Sequence, residues 1–167
     1  IAMTTSQVGA LTAAQLKGLT TDTLAAMGTT QVAALTTGQV SGLTVASVGA
    51  MTTTQVAAMT TVQVQALTVT QIKAFSAGKV AAMNTAQVVS LSIDQVTLND
   101  TQLKALTTTE VAALSTSQVK ALADAQIKSL SADSVAALTT AQVNALSTSQ
   151  LKALSANQVA ALTSTNV

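Results

Sequence analysis

An all-α solenoid of very short helices is the fold this sequence predicts. Three observations predict it: an eight-residue repeat from end to end, a helix-capping pattern in each repeat, and a second period of 24 residues. The octads read as an aliphatic residue, a variable one, a small one, a larger apolar one and a hydroxyl, followed after two more residues by Gln. Val56-Ala57-Ala58-Met59-Thr60 and Ile72-Lys73-Ala74-Phe75-Ser76 are two copies. A unit copied this often marks a solenoid or filament, in which each copy buries its apolar face only against its neighbours.

The aliphatic position runs Val8, Leu16, Leu24, Val32 and onward to Val159 and Val167, at a spacing of eight. Between Val96 and Leu103 the spacing is seven. One continuous helix does not fit. Eight residues at about 100° each overshoot two turns by about 80°, so the apolar stripe spirals and forms no face. A coiled coil is excluded on that ground.

Each octad carries its own start signal. In Leu11-Thr12-Ala13-Ala14-Gln15-Leu16, Thr12 is an N-cap and Gln15 stands three residues on, the two halves of a capping box. Leu11 and Leu16 flank them as a hydrophobic staple. Asp22, Asp94, Asp100, Asp124, Asp133 and Glu110 fall in the first turn, near the positive end of the helix dipole. Lys17, Lys73, Lys104, Lys120, Lys128 and Lys152 fall at the fifth helical position, toward the negative end. Helices this short do not stand alone in water, so neighbours must hold them.

Longer alignment brings up the 24-residue period. Met3, Met27, Met51 and Phe75 share a column, as do Val45, Val69 and Ile93, and Lys104, Lys128 and Lys152. Three octads therefore make one turn of a roughly triangular solenoid. The expected organisation is a single continuous segment over 1–167, about seven turns, with a one-residue deletion near 97–101. At about 9 Å per turn it makes a rod roughly 60 Å long. The fourth and seventh helical positions face the axis and the second and fifth face out. The first position forms a seam between turns, and the small sixth position allows close stacking. Met3 completes a unit and Val167 opens one, so the chain reads as a segment of a longer repeat protein or as one that stacks end to end. The alternative fold is a triangular β-solenoid, which Thr and Val favour. Abundant Ala and Gln, scarce turn glycines and the lack of strict alternation oppose it.

Composition limits the chemistry. Seven Lys, six acids and no Arg give a net charge of +1, so no basic field for nucleic acid exists. There is no Cys, His, Trp, Tyr or Pro. No disulfide or thiolate site is possible, and a nucleophile paired with a His base is excluded. Apolar runs such as Val80-Ala81-Ala82-Met83 are far short of a membrane span. Asp94, Asn99 and Asp100 cluster at the deletion as hard oxygen ligands would for Ca²⁺, but capping and first-turn roles account for all three. No catalytic, cofactor-binding or metal-ligating residue is assigned, and the chain reads as a non-enzyme without cofactors.

Units such as Thr52-Thr53-Thr54-Gln55-Val56-Ala57-Ala58-Met59 resemble the LTTxQVAAL tracts of very large secreted bacterial proteins. Those proteins are often labelled haem utilisation or adhesion proteins, and many carry RTX-type calcium-binding regions. The resemblance implies a secreted or cell-surface location and a role as stalk, spacer or adhesive fibre. The RTX pattern is absent here, and the Met residues at 3, 27, 51, 59 and 83 sit at the apolar position rather than as haem ligands. Self-association, end to end or lateral, is the expected partnership. A binding module with a flat Thr/Ala surface, like that of some ice-binding proteins, is the alternative. A ridge including Val62 and Val89 offers a third, adhesive surface.

Overall fold

A computed structural model of the chain describes residues 3–162. The open units at Ile1 and Val167 lie outside the described residues. Every regular element described is a helix of four to six residues, and no strand occurs among the described residues. The helical solenoid is thus the fold, and the β-solenoid alternative is excluded.

The chain divides into two compact units, Ile1–Ser90 and Leu91–Val167. The first contains α1 Thr5–Ala10, α2 Ala13–Lys17, α3 Thr21–Ala25, α4 Thr29–Ala33, α5 Thr37–Gly42, α6 Val45–Ala50, α7 Thr53–Ala58, α8 Thr61–Ala66, α9 Val69–Lys73, α10 Ala77–Ala81 and α11 Thr85–Val89. The second contains α12 Asp100–Leu103, α13 Thr108–Ala113, α14 Thr116–Ala121, α15 Asp124–Ser129, α16 Ala132–Ala136, α17 Thr140–Ala145, α18 Thr148–Ala153 and α19 Ala156–Ala161. In both units each helix packs on the third helix along the chain. In the first unit α1, α4, α7 and α10 form one stack, α2, α5, α8 and α11 a second, and α3, α6 and α9 a third. In the second unit the stacks are α12–α15–α18, α13–α16–α19 and α14–α17. Three helices per turn is the 24-residue period of the sequence.

The corners explain why so few glycines are needed. In α1 the helix ends at Leu11, which is extended at φ −63°, ψ 139°. The next corner residue, Thr12, is also extended at φ −73°, ψ 155°, and it caps α2. Two extended residues in succession re-aim the chain, and any side chain tolerates those dihedrals. No described residue has a positive φ. The corner Leu or Met turns inward. Leu35, Leu67, Leu122 and Leu138 at this position, with Val32, Val64, Val119 and Val135 at the aliphatic one, are buried.

Close stacking falls where the small sixth position predicts it. A Cβ built on Gly42 of α5 would lie 3.1 Å from the Cβ of Ala13, the first residue of α2 on the turn below. The first position is more open than the expected seam. Along that column Val69 is half-buried, while Val45 and Ile93 are 44% and 52% exposed.

The octad containing the deletion departs from the rest. Residues 93–96 form a turn instead of a helix. The Val96 amide still donates to the Ser92 carbonyl at 3.0 Å, but the Leu98 amide reaches back only to Val96, at 2.7 Å. Leu98 takes the corner position two residues after Val96 rather than three, and it is buried. The lost residue is therefore the one preceding the corner. The cap that follows, Asn99, accepts the Gln102 amide as usual.

Leu67 is 2% exposed and fills the corner between two turns. Leu67→Ala is expected to cost about 2–5 kcal/mol, read as a lowered urea midpoint with far-UV dichroism still of helical type. A loss under 0.5 kcal/mol would mean the corner is not core.

Candidate functional site

The side chain with the most specific role is the Gln at the third helical position. Gln63 of α8 shows the arrangement. Its Oε1 accepts the Thr60 amide at 2.8 Å, and its own amide donates to Thr60 Oγ1 at 3.3 Å. That much is the capping box. Its Nε2 also donates to three carbonyls of the turn below: Val32 at 2.9 Å, Ala33 at 3.2 Å and Leu35 at 2.7 Å. Those carbonyls close the C-terminal end of α4. One amide therefore satisfies the start of its own helix and the end of a helix one turn earlier.

The pattern repeats with a fixed register. Gln39 donates to Val8, Gly9 and Leu11, and Gln55 to Leu24, Ala25 and Met27. Gln87 donates to Val56, Ala57 and Met59. In the second unit Gln142 reaches Val111, Ala112 and Leu114, and Gln150 reaches Val119, Lys120 and Leu122. These Gln side chains are almost completely buried; Gln55, Gln63, Gln142 and Gln150 are each 2% exposed. Gln7 and Gln15, which have no earlier turn among the described residues, are exposed.

The sequence reading gave this Gln its capping role and missed the inter-turn one. A signal was present. Glu caps a helix start as well as Gln, and its charge suits the dipole better. Yet the third position holds Gln in fifteen of the twenty described octads and Glu only at 110. That preference requires the donor half of the amide, which a carboxylate lacks.

Five octads depart from Gln at this position: Thr23, Ser47, Lys79, Glu110 and Ser134. Glu110 is buried at 4% exposure and keeps the capping half, its Oε2 accepting the Thr107 amide at 2.7 Å. Lys79 replaces the donor half, its Nζ bonding the Gly49 carbonyl. It has no oxygen to offer the cap, and the Ser76 side chain makes no cap bond either. Partial burial lowers the Lys79 pKa from the ordinary lysine value.

Asn99 Oδ1 is engaged in capping, while Asp94 and Asp100 are exposed. Among the described residues, no three His, Cys, Asp or Glu side chains gather as a metal site needs. Lys104, Lys128 and Lys152 follow the stack α12–α15–α18 and are exposed. Asp100 and Asp124 precede two of these Lys by one helical turn and offset their charge. Met27, Met51, Met59 and Met83 are buried in the core. Val62 and Val89, on the stacked helices α8 and α11, are 55% and 39% exposed. Among the described residues no helix is long and apolar enough to cross a membrane.

The ALTTAQ repeat matches residues 13–45, 37–69, 45–77, 97–132, 119–148 and 135–167, which together span most of the chain. The chain belongs to the ALTTAQ repeat family. The final Gln of that motif is the ladder residue, and the Leu-Thr before it are the corner and the cap. The matches leave out 78–96, the stretch that holds Lys79 and the 93–96 turn. No curated protein and no solved structure matches the chain.

Two substitutions separate the capping role from the ladder role. Gln63→Ala removes both and is expected to cost about 2–4 kcal/mol, since it strands a cap amide and three carbonyls. Gln63→Glu keeps the cap but sets a carboxylate against those carbonyls, so its loss should be at least as large. If capping were the whole role, Gln63→Glu would be neutral or slightly stabilising in urea titrations at neutral pH.

Lys79→Gln supplies the missing cap acceptor and a neutral donor, and should stabilise by about 1–2 kcal/mol at pH 7. The Lys79 pKa is lower folded than unfolded, so the cost of its buried charge is present below the folded pKa. That cost fades as pH rises through the folded value toward the ordinary one. The advantage of the Gln variant should therefore shrink between pH 7 and the ordinary lysine range. An advantage that grows with pH contradicts this account.

Proposed function

We propose that this ALTTAQ repeat chain is a mechanical module, a spacer, stalk or self-associating fibre of a secreted or cell-surface bacterial protein, with adhesion as its wider setting. One observation carries the reading: the polar ends of the helices are satisfied inside the repeat by the Gln ladder, which leaves the outward positions free of any structural task. Those positions are filled mostly by small, uncharged residues. The exposed Thr53, Ala57, Ala81 and Ala86 are examples. Catalysis is not part of the proposal. Neither nucleic acid nor a membrane span is part of it. Self-association, lateral or end to end, is favoured by a net charge of only +1 and by weak mutual repulsion between copies.

A second reading is a binding surface for an ordered water lattice, as in ice-binding proteins. The stack α1–α4–α7 favours it by bringing the exposed Thr5, Thr29 and Thr53 into one column. Against it, Thr52 Oγ1 already accepts the Gln55 amide and bonds Thr54 Oγ1 at 2.9 Å. Thermal hysteresis at millimolar protein tests this reading, and a freezing point no lower than that of a matched inert protein removes it.

For the leading reading, light scattering coupled to size exclusion should show mass rising with concentration, and negative stain should show elongated assemblies. A monodisperse monomer across a hundredfold concentration range would leave the spacer role and eliminate the fibre.

A further inference from the structure

We propose that Ser47 and Ser134 each complete a binding site for a single structural water, which takes the place of the Gln carboxamide between turns. The inference is independent of the mechanical reading above. At eight of the Gln positions in the two units, Nε2 reaches the carbonyls 31, 30 and 28 residues earlier, as with Gln71 to Val40, Ser41 and Leu43. That register gives Ser47 the carbonyls of Leu16, Lys17 and Leu19, and Ser134 those of Leu103, Lys104 and Leu106. Both serines are buried, at 3% and 5% exposure, at the position whose side chain packs on the earlier turn.

A serine reaches neither partner of the amide it replaces. Ser47 Oγ lies 2.7 Å from Thr44 Oγ1, and the Ser131 hydroxyl donates to Ser134 Oγ at 2.8 Å. The Thr44 and Ser131 amides, which a Gln Oε1 would accept, have no protein acceptor among the described residues. The Leu19 and Leu106 carbonyls likewise have no protein donor there. Each site thus presents one N–H donor and a set of carbonyl acceptors around the space of a missing carboxamide. One water accepts the first and donates to two of the second, about three hydrogen bonds, which is the usual count for a buried water. The carboxamide and methylene that serine lacks exceed the ~30 Å³ share of one water.

The alternative occupant is a monovalent cation, since Lys79 puts an ammonium against the equivalent carbonyl of Gly49. The inward N–H of the cap decides against it: a cation cannot accept that bond, and a neutral water can. Desolvation lowers the pKa of Lys79, so the charged form is disfavoured there.

The test is a high-resolution crystal structure of the 167-residue chain grown without potassium or ammonium, with Ser47→Gln alongside. The expected result is one ordered oxygen at each site, about 2.7–3.2 Å from the Thr44 or Ser131 amide and from the Leu19 or Leu106 carbonyl. In Ser47→Gln the new amide should occupy that position and the density at Ser134 should remain. Two results overturn the proposal: both sites closed by direct protein contact without density, or density that appears only when potassium or rubidium is added. The wild-type crystal decides the question even if the variant does not fold.

Discussion

The structure depends on one side-chain amide that works in both directions. A helix of six residues has more unpaired backbone groups at its ends than hydrogen bonds within it, and that is the standing objection to building a protein from such pieces. In this chain the objection is met at the third position. Oε1 of Gln55 accepts the Thr52 amide at 2.8 Å, and its Nε2 donates to three carbonyls that end α3, one turn below. Starting one helix and ending another become the same event. The octad length follows. The seven-residue unit Ser92–Leu98 still holds cap, Gln, aliphatic residue and corner, but it forms a turn where the octads form a helix.

The ladder also sets which other positions are constrained. Because Nε2 must reach the turn below, stacked helices must lie close, and the sixth position cannot carry bulk. Gly42 against Ala13 shows how little space remains. The corner residue must be extended to end the helix and apolar to face the core, as Leu67 is at φ −64°, ψ 140° and 2% exposure. The first, second and fifth positions carry no such demand. Val45, Val62 and Lys73 occupy them and are largely solvent-facing, with the same local backbone behind each.

Much of this was legible in the residues. The 24-residue columns, the capping pairs and the inward fourth and seventh positions follow from periodicity and cap chemistry alone. The inter-turn role of Gln did not, because a capping box already accounts for a Gln at that place, and a sufficient local explanation conceals a long-range one. Only the near absence of Glu gave it away. The column of Val45, Val69 and Ile93 is covered unevenly, with only Val69 half-buried: helical angles say which way a residue leans, but not how far the neighbouring turn extends over it. The deletion was seen as a missing residue near 97–101, and its effect, a turn at 93–96 with Leu98 still in the core, depended on which position the core can spare. It spared the small residue before the corner, since losing the aliphatic residue, the Gln or the Leu would have removed core or ladder.

The departures from Gln show how a repeat of this kind tolerates change. Lys79 keeps a donor and loses the acceptor, Glu110 keeps the acceptor and loses the donor, and Ser47 and Ser134 lose both while staying buried. In each case the apolar neighbours Val80, Val111, Val48 and Val135 remain buried. Hydrophobic burial therefore holds each turn, and the amide fixes its register; a turn can lose part of the second while it keeps the first. Stability in such an array is close to a sum over turns and their nearest-neighbour contacts. Turns can then be added or altered without redesigning the rest, which ties what the chain does to its length and its outward residues rather than to any one constellation of side chains. That is the physical ground for reading it as a module whose task is mechanical.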